Sequence, residues 1–543
     1  MNDALLAAVA AAHGTPTYVY DLDTVTDRFR RVERAFPGAR VHYAVKANAL
    51  GPLLAHLAAL GAHAEALTLG ELERALRAGF APEHVVLGGP GHTPDLARRA
   101  AEVGVGLVSL DSVGAWEVWR EVAAPATRFL VRLNPGFDPR THEHLATGAA
   151  ESKFGLPEGE AVAVAEEAAA SGRLAGFHVH AGSMISDPEV ARLVTEALEP
   201  LYRRFAGLEL VDFGGGFAVP GPDLEAFAAP LLAFAERHGV TPVIEPGRYL
   251  VAESGVLLTR VLHVKEGGPV RHVIADAGMA DLLRPALYGA AHPVRVVGTE
   301  AGSAGGGQAA AGVGPVSGRT ASGPRGATAG RAPGSPAADD RPVDLDGPLC
   351  ENADRLGRDV RLEGVGAGAL LAVAVAGAYG FAMASNYASS LRPAQVVASG
   401  GGFTLASRRE EPADLWRLEA PVGAPRPGAS ARETVAGLLA SMDSPARAAA
   451  ALLTGAADHL RPRLGRLEDL ARAFGNELYR PLIGVGADAI RELDERVADH
   501  GEVARAVVAT PEGDFVVTLA RRPAGDRPGR WLVTGLARDL PGA

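Results

Sequence analysis

A lysine closes the first apolar run of the chain, in His42-Tyr43-Ala44-Val45-Lys46-Ala47-Asn48. With an apolar strand behind it, such an amine is placed for desolvation and for Schiff-base chemistry with a carbonyl compound. Gly214-Gly215-Gly216 carries no Cβ atoms, so its backbone N–H groups can approach a phosphate. Glu245-Pro246-Gly247-Arg248 adds a carboxylate able to keep a pyridine nitrogen protonated and a guanidinium able to pair with an anion. Each feature alone is ordinary: a strand-end lysine is a surface charge, and a glycine triplet is a flexible turn. Closing three strands of one barrel, they together point to pyridoxal phosphate (PLP).

The elements that must position these residues are visible as a rhythm. Apolar or β-branched runs occur at 41–45, 62–67, 84–88, 105–110, 128–133, 174–179, 208–213 and 241–245. Helical patterns lie between most of them, for instance Val190, Leu193, Val194, Ala197, Leu198, Leu201 and Phe205 on one face. Alternating strands and helices imply parallel βαβ units, and eight of them predict an α/β fold with a closed (βα)8 TIM-type barrel over 26–255. An open doubly wound sheet is the competing arrangement. Lysine, glycine triplet and glutamate then close strands one, seven and eight, at the end where such barrels build their sites.

Beyond 256 the texture turns β-rich, with runs at 256–264, 270–276, 370–376 and 394–405, which predicts a β-barrel-like domain over 256–420, joined by an N-terminal segment, 1–25. Residues 298–342 interrupt it with Gly, Ala, Ser, Pro, Thr and Arg but no aromatic, Leu or Ile. Such a segment buries too little apolar surface to offset its ordering entropy and is predicted to be a disordered insertion. After a Pro/Gly-rich joint at 421–428, helices are expected at 432–442, 446–453 and 467–474, then strands at 502–509, 513–521 and 529–537. This is a small α+β accessory domain, 425–543.

Composition narrows the setting. The 543 residues carry a formal net charge of −11, which argues against a nucleic-acid partner. The single cysteine, Cys350, excludes an intrachain disulfide and suits a reducing compartment. The run at 5–12 is short and follows Asp3 rather than a cationic segment, so it predicts a helix and not a signal peptide. No uncharged apolar run reaches the ~18 residues that a membrane span needs, so a cytoplasmic protein is expected. His178 and His180 alternate on a strand and could share a face as metal ligands, but no third ligand is offered nearby and no metal is expected.

Several motifs carry a family resemblance. Tyr43–Asn48, Ser152-Lys153-Phe154-Gly155, His178–Ser183 and Glu245–Arg248 resemble the fold-type III PLP-dependent decarboxylases. Arg284–Tyr288, Gly347-Pro348-Leu349-Cys350-Glu351, Ala378-Tyr379-Gly380 and Ser385-Asn386-Tyr387 narrow the resemblance to the diaminopimelate decarboxylase family, over about 15–420 except the insertion. The last region, with Phe474–Leu482 and Gly529–Gly535, resembles NTF2-like domains more loosely.

The resemblance implies decarboxylation of meso-2,6-diaminopimelate to L-lysine and CO2, the last step of lysine biosynthesis, by a homodimer with shared sites. It implies that Lys46 carries the cofactor, His180 stacks on its ring and Glu245 meets the ring nitrogen. Ser183, Gly215, Gly216, Gly247 and Arg248 would hold the phosphate. Arg248, Arg284, Tyr288 and Glu351 would bind the far end of the substrate, Tyr379 would touch cofactor and substrate, and Cys350 would donate a proton from the partner subunit. The alternatives are decarboxylation of ornithine, arginine or carboxynorspermidine, and a PLP-binding regulatory protein without catalysis. Ala181, Met184-Ile185, His92 and Leu391 depart from the usual family pattern at positions to which the resemblance gives no role.

Overall fold

The computed structural model describes residues 1–136, 152–266, 270–298, 341–416, 431–440, 490–498, 501–510, 513–521 and 531–538. The chain divides into two units, Met1–Glu411 and Pro412–Ala543.

In the first unit, strand β1 (Thr17–Asp21) precedes eight barrel strands. These are β2 (Arg40–Ala44), β3 (His63–Ala66), β4 (Val85–Leu87), β5 (Leu107–Leu110), β6 (Arg128–Arg132), β7 (Leu174–His178), β8 (Leu210–Asp212) and β9 (Thr241–Ile244). All neighbours are parallel, and β9 closes onto β2 through Arg40↔Val243. The barrel is closed and not doubly wound, and the eight apolar runs of the sequence supply its eight strands. Its interior is filled by Val86, Leu107, Leu130, Ala175, Leu210 and Val243 from six strands, a packed plug and not a pore. Side-chain caps start the helices that follow: Thr68 accepts from the Glu71 amide, Thr93 from Leu96 and Ser112 from Ala115. The helix Glu189–Arg204 buries Val190, Val194, Leu198 and Leu201, the face that its periodicity marks.

A nine-stranded mixed sheet forms the second layer of this unit. It is built from β1, β10 (Gly255–Lys265), β11 (Arg271–Ala275), β12 (Val294–Val296), β13 (Val343–Asp346), β14 (Arg355–Val360), β15 (Leu370–Val373), β16 (Ala394–Ser399) and β17 (Gly402–Ser407). Strand β1 lies between β10 and β16, so the chain starts in this sheet and then enters the barrel. The β-rich run at 394–405 is a hairpin of β16 and β17. Gly400 and Gly401 both have positive φ, 57° and 82°, the requirement of a tight two-residue turn. The expected insertion falls almost wholly on 299–340, outside the described residues.

In the second unit, the helix Ala431–Ala440 accompanies an antiparallel sheet of β18 (Ile490–Ala498), β19 (Gly501–Thr510), β20 (Gly513–Arg521) and β21 (Trp531–Arg538) in chain order. Strand β18 was not legible: Arg491-Glu492-Leu493-Asp494-Glu495-Arg496 has no apolar alternation, which an edge strand does not need. The helices expected at 446–453 and 467–474 lie outside the described residues. No described helix is long and apolar enough to cross a membrane.

At the end of the barrel where strands enter, the rings of His42, His63 and His84 stack with centroid separations of 4.9 and 4.2 Å. Burial, with His84 and Arg40 beside it, holds His63 down at about 4. Burial, then His63, Arg40 and His84, pushes His42 well below the usual imidazole range. An unfolded histidine titrates near ~6.5, so between these values the unfolded chain binds protons that the folded one refuses. The stabilisation is complete above about pH 6.5 and is lost as the pH falls towards 4. The midpoint of thermal unfolding should drop across that window, and His63→Gln should flatten the slope.

Candidate active site

Lys46 sits in a short 3₁₀ turn, Val45–Ala47, just past the end of β2. Its Nζ lies 2.8 Å from Oε2 of Glu65, which projects from β3 and is 3% exposed. Burial alone would lower the ammonium's pKa, but Glu65, Tyr379 and Glu245 outweigh it and hold the pKa above the ordinary lysine value. The turn is tied to the second sheet's loops: Tyr379 N–H donates to Ala47 O at 2.8 Å, and Asn48 Nδ2 donates to Gly377 O at 2.9 Å.

Strands β7, β8 and β9 end beside it. Asp212 Oδ1 accepts from Gly214 N at 2.8 Å, His180 Nδ1 accepts from Gly215 N at 3.2 Å, and Gly214 O accepts from Glu245 N at 2.7 Å. A Cβ on Gly215 would come within 2.1 Å of Glu245 O, and one on Gly216 within 2.0 Å of Gly182 O. The triplet is therefore required for backbones to close on each other, with Ser183 following Gly182 on the facing turn. One expectation changes here, since the Gly215 amide is engaged by His180. Gly247 lies against Ala44 and Ala47, which joins the end of β9 to the end of β2 next to Lys46.

The floor of the mouth is charged. Glu65, Asp212 and Glu245 are all buried. Burial, reinforced by Asp212 and Glu65, pushes Glu245 well above the carboxylate range, against the pull of Lys46 and Arg132. Burial pushes Asp212 up to about 7. His178 bonds Ser109 Oγ through Nδ1 at 2.7 Å and places Nε2 3.8 Å from Glu245. Burial, then Arg132, keeps both His178 and His180 neutral. Arg132 is held by Asp111 at 2.7 Å, and Asp111 also accepts from the Gly155 amide.

Glu65, Asp212, Arg132 and Asp111 were missed by the sequence reading. The available signal was a charged residue inside or at the end of an otherwise apolar strand. The sequence also offered no third donor beside His178 and His180, and the barrel supplies one. Donor atoms of His178, His180 and Glu245 lie within 4.8 Å of one another, because β9 ends two strands from β7.

Above the mouth, Arg248 packs over the Tyr379 ring at 4.7 Å. Arg248 Nη1 and Arg284 Nε are buried without a partner, and Tyr288, half-buried, lies near both guanidiniums. Cys350 is exposed. Glu351 is exposed and accepts a short hydrogen bond from Tyr387. Among the described residues no hydrogen bond or ion pair links Cys350 or Glu351 to Lys46. Their loop is pinned by Asp354, which accepts from the Leu349 and Met279 amides, each at 2.6 Å.

Comparison with known proteins fits this geometry. Residues 22–252 match the family model "Pyridoxal-dependent decarboxylase, pyridoxal binding domain". The chain is 37% identical over 419 residues to a diaminopimelate decarboxylase of Deinococcus radiodurans, covering 76% of this chain and 98% of that one. It is 34% identical over 440 residues to the Zymomonas mobilis protein of the same name, covering 77% and 96%. The chain belongs to the diaminopimelate decarboxylase family. Among solved structures it is similar to the Helicobacter pylori diaminopimelate decarboxylase complexed with L-lysine, with a TM-score of 0.65 and 30% identity over 76% of this chain and 99% of that one. A lysine/ornithine decarboxylase from Vibrio vulnificus, at 21% identity and a TM-score of 0.57, shares the fold.

The residues present fit the family's cofactor. A lysine with a carboxylate 2.8 Å from its Nζ stands at the mouth, backbones without Cβ atoms line a cradle, and buried carboxylates match a cationic ring nitrogen. The rim depends on the Arg132–Asp111 pair, whose side chains are 8% and 0% exposed. Asp111→Ala leaves a buried guanidinium uncompensated and should cost about 3–5 kcal/mol of stability, measured by urea denaturation.

Proposed function

We propose that the protein decarboxylates meso-2,6-diaminopimelate to L-lysine with PLP held at the barrel mouth. The observation that carries the choice of substrate is the neighbouring pair Arg248 and Arg284, each with a buried donor lacking a partner. Such donors suit a carboxylate on the non-reacting end of the substrate. Ornithine and carboxynorspermidine offer no second amino-acid end, and the pair would stand idle.

Lys46 would hold the cofactor covalently, and Glu65 Oε2, at 2.8 Å, is placed to take the proton that Nζ must first lose. Glu245 would face the ring nitrogen and His180 the ring. Ser183, Gly215, Gly216, Gly247 and Arg248 would surround the phosphate, with Gly215 contributing close approach and not a free amide. When bound, PLP supplies the electron sink for the pair left by departing CO2. Tyr379, fixed through its amide to Ala47, would border both cofactor and substrate, and Tyr288 and Glu351 would complete the far end. A proton from Cys350 Sγ would replace CO2 on the reacting carbon.

Cys350 and Glu351 are exposed on the second sheet's side of the unit, which supports a twofold dimer in which each chain completes the other's site. A lone cysteine is at home in a reducing cytoplasm. Residues 425–543, loosely similar to NTF2-like domains, are read as a small accessory module.

A panel of diaminopimelate, ornithine, arginine, lysine and carboxynorspermidine, with CO2 release measured on PLP-loaded protein, should show turnover of diaminopimelate alone. Fastest turnover of ornithine or arginine would refute the substrate while sparing the cofactor. Lys46→Ala and Cys350→Ala chains should each be nearly inactive. Co-refolded in equal amounts, they should recover about one quarter of wild-type activity, since half the dimers are hybrids with one intact site. No recovery, with hybrids seen by mass spectrometry, would remove Cys350 from the partner's site.

A further inference from the structure

His292 lies in none of the motifs that mark the family resemblance, yet it is 7% exposed and makes two directed contacts. Its Nδ1 is 3.0 Å from Ala374 O, and its Nε2 is 3.2 Å from Arg284 Nη1. A carbonyl oxygen only accepts and a guanidinium only donates, so the tautomer is fixed: Nδ1 carries the hydrogen and Nε2 receives Arg284. The ring has a firm base, because Ala374 N–H donates to Pro293 O at 2.8 Å and Val294 then pairs with Val373.

Arg284 needs such a partner. Burial pushes its guanidinium down to about 10, and the neighbouring Arg248 adds to that push. Among the described residues neither arginine is ion-paired with a carboxylate. A carboxylate would hold Arg284 in place but would also cancel the charge that attracts an anionic ligand. A neutral imidazole holds the geometry and leaves the charge intact. Burial holds His292 itself at about 4, against the pull of the Ala374 carbonyl and aided by Arg284, so it stays neutral near physiological pH.

We propose that His292 is a positioning residue that fixes Arg284 as a receptor for the distal carboxylate of the substrate and so sets specificity for amino acids with a second acidic end. The proposal rests on the reading that Arg284 takes that carboxylate.

L-Lysine keeps the distal carboxylate and cadaverine lacks it, so the ratio of their dissociation constants isolates this contact. Calorimetric titration of PLP-loaded protein should show His292→Leu binding L-lysine about tenfold more weakly, or ~1.4 kcal/mol, with cadaverine changed less than about twofold. His292→Gln, whose amide can accept from Arg284 and donate to Ala374, should restore most of the lysine affinity. If leucine prevents folding, His292→Met fills the same space and carries the same expectation. Equal weakening of both ligands, unchanged lysine binding, or a glutamine variant as poor as the apolar one would overturn the proposal.

Arg284→Gln separates the two ideas. Unchanged lysine-over-cadaverine preference in that variant would refute the underlying reading of Arg284. Loss of preference there, with no further loss on adding His292→Leu, is the expected result. A further loss in the double variant would mean that His292 acts elsewhere and would also overturn the proposal.

Discussion

Four buried carboxylates, Glu65, Asp111, Asp212 and Glu245, against one ammonium and one guanidinium form the constraint around which the barrel mouth is arranged. Removing such charges from water costs several kcal/mol each unless they are paired. The structure meets this cost between neighbouring strands: Glu65 from β3 with Lys46 from the end of β2, and Asp111 after β5 with Arg132 on β6. Asp212 and Glu245, left without a full partner, are pushed towards holding protons. That leaves the site able to receive a cationic ring nitrogen, which would convert a like-charge conflict into an ion pair.

The second sheet sets the upper half of the site. Its loops reach the lysine turn through main-chain atoms, Tyr379 N to Ala47 O and Gly377 O to Asn48, contacts that no side-chain motif announces. Those same loops put Tyr379 beneath Arg248. The Lys46 turn below and Arg248 above are thus both tied to one short run of backbone, so a shift in either layer is felt by the other.

The Cys350 loop is organised differently. Asp354 gathers the amides of Leu349 and Met279, and a Cβ on Gly347 or Gly278 would come within 2.3 Å of its carboxylate. The loop is rigid at its base while Cys350 and Glu351 point to solvent.

Much of the fold was legible in the sequence. Eight apolar runs separated by helical patterns dictated eight barrel strands, because a parallel strand buried on both faces needs a continuous apolar stretch. Lys46, the glycine triplet and Glu245 stood out only as a set, because an amine, a Cβ-free turn and a carboxylate closing strands of one barrel match the needs of one cofactor. The hairpin at Gly400-Gly401, the edge strand β18 and the strands β12, β13 and β14 were not legible, since short or charged strands depend on their neighbours and not on their own pattern. Only the closed barrel brought Glu65, Glu245 and His178 round Lys46, and only the pairing of β12 with β15 set His292, held by Ala374, against Arg284. The spacing of these residues in the chain does not announce the contacts, and their energies come from burial and charge, which exist only once the tertiary structure has excluded water.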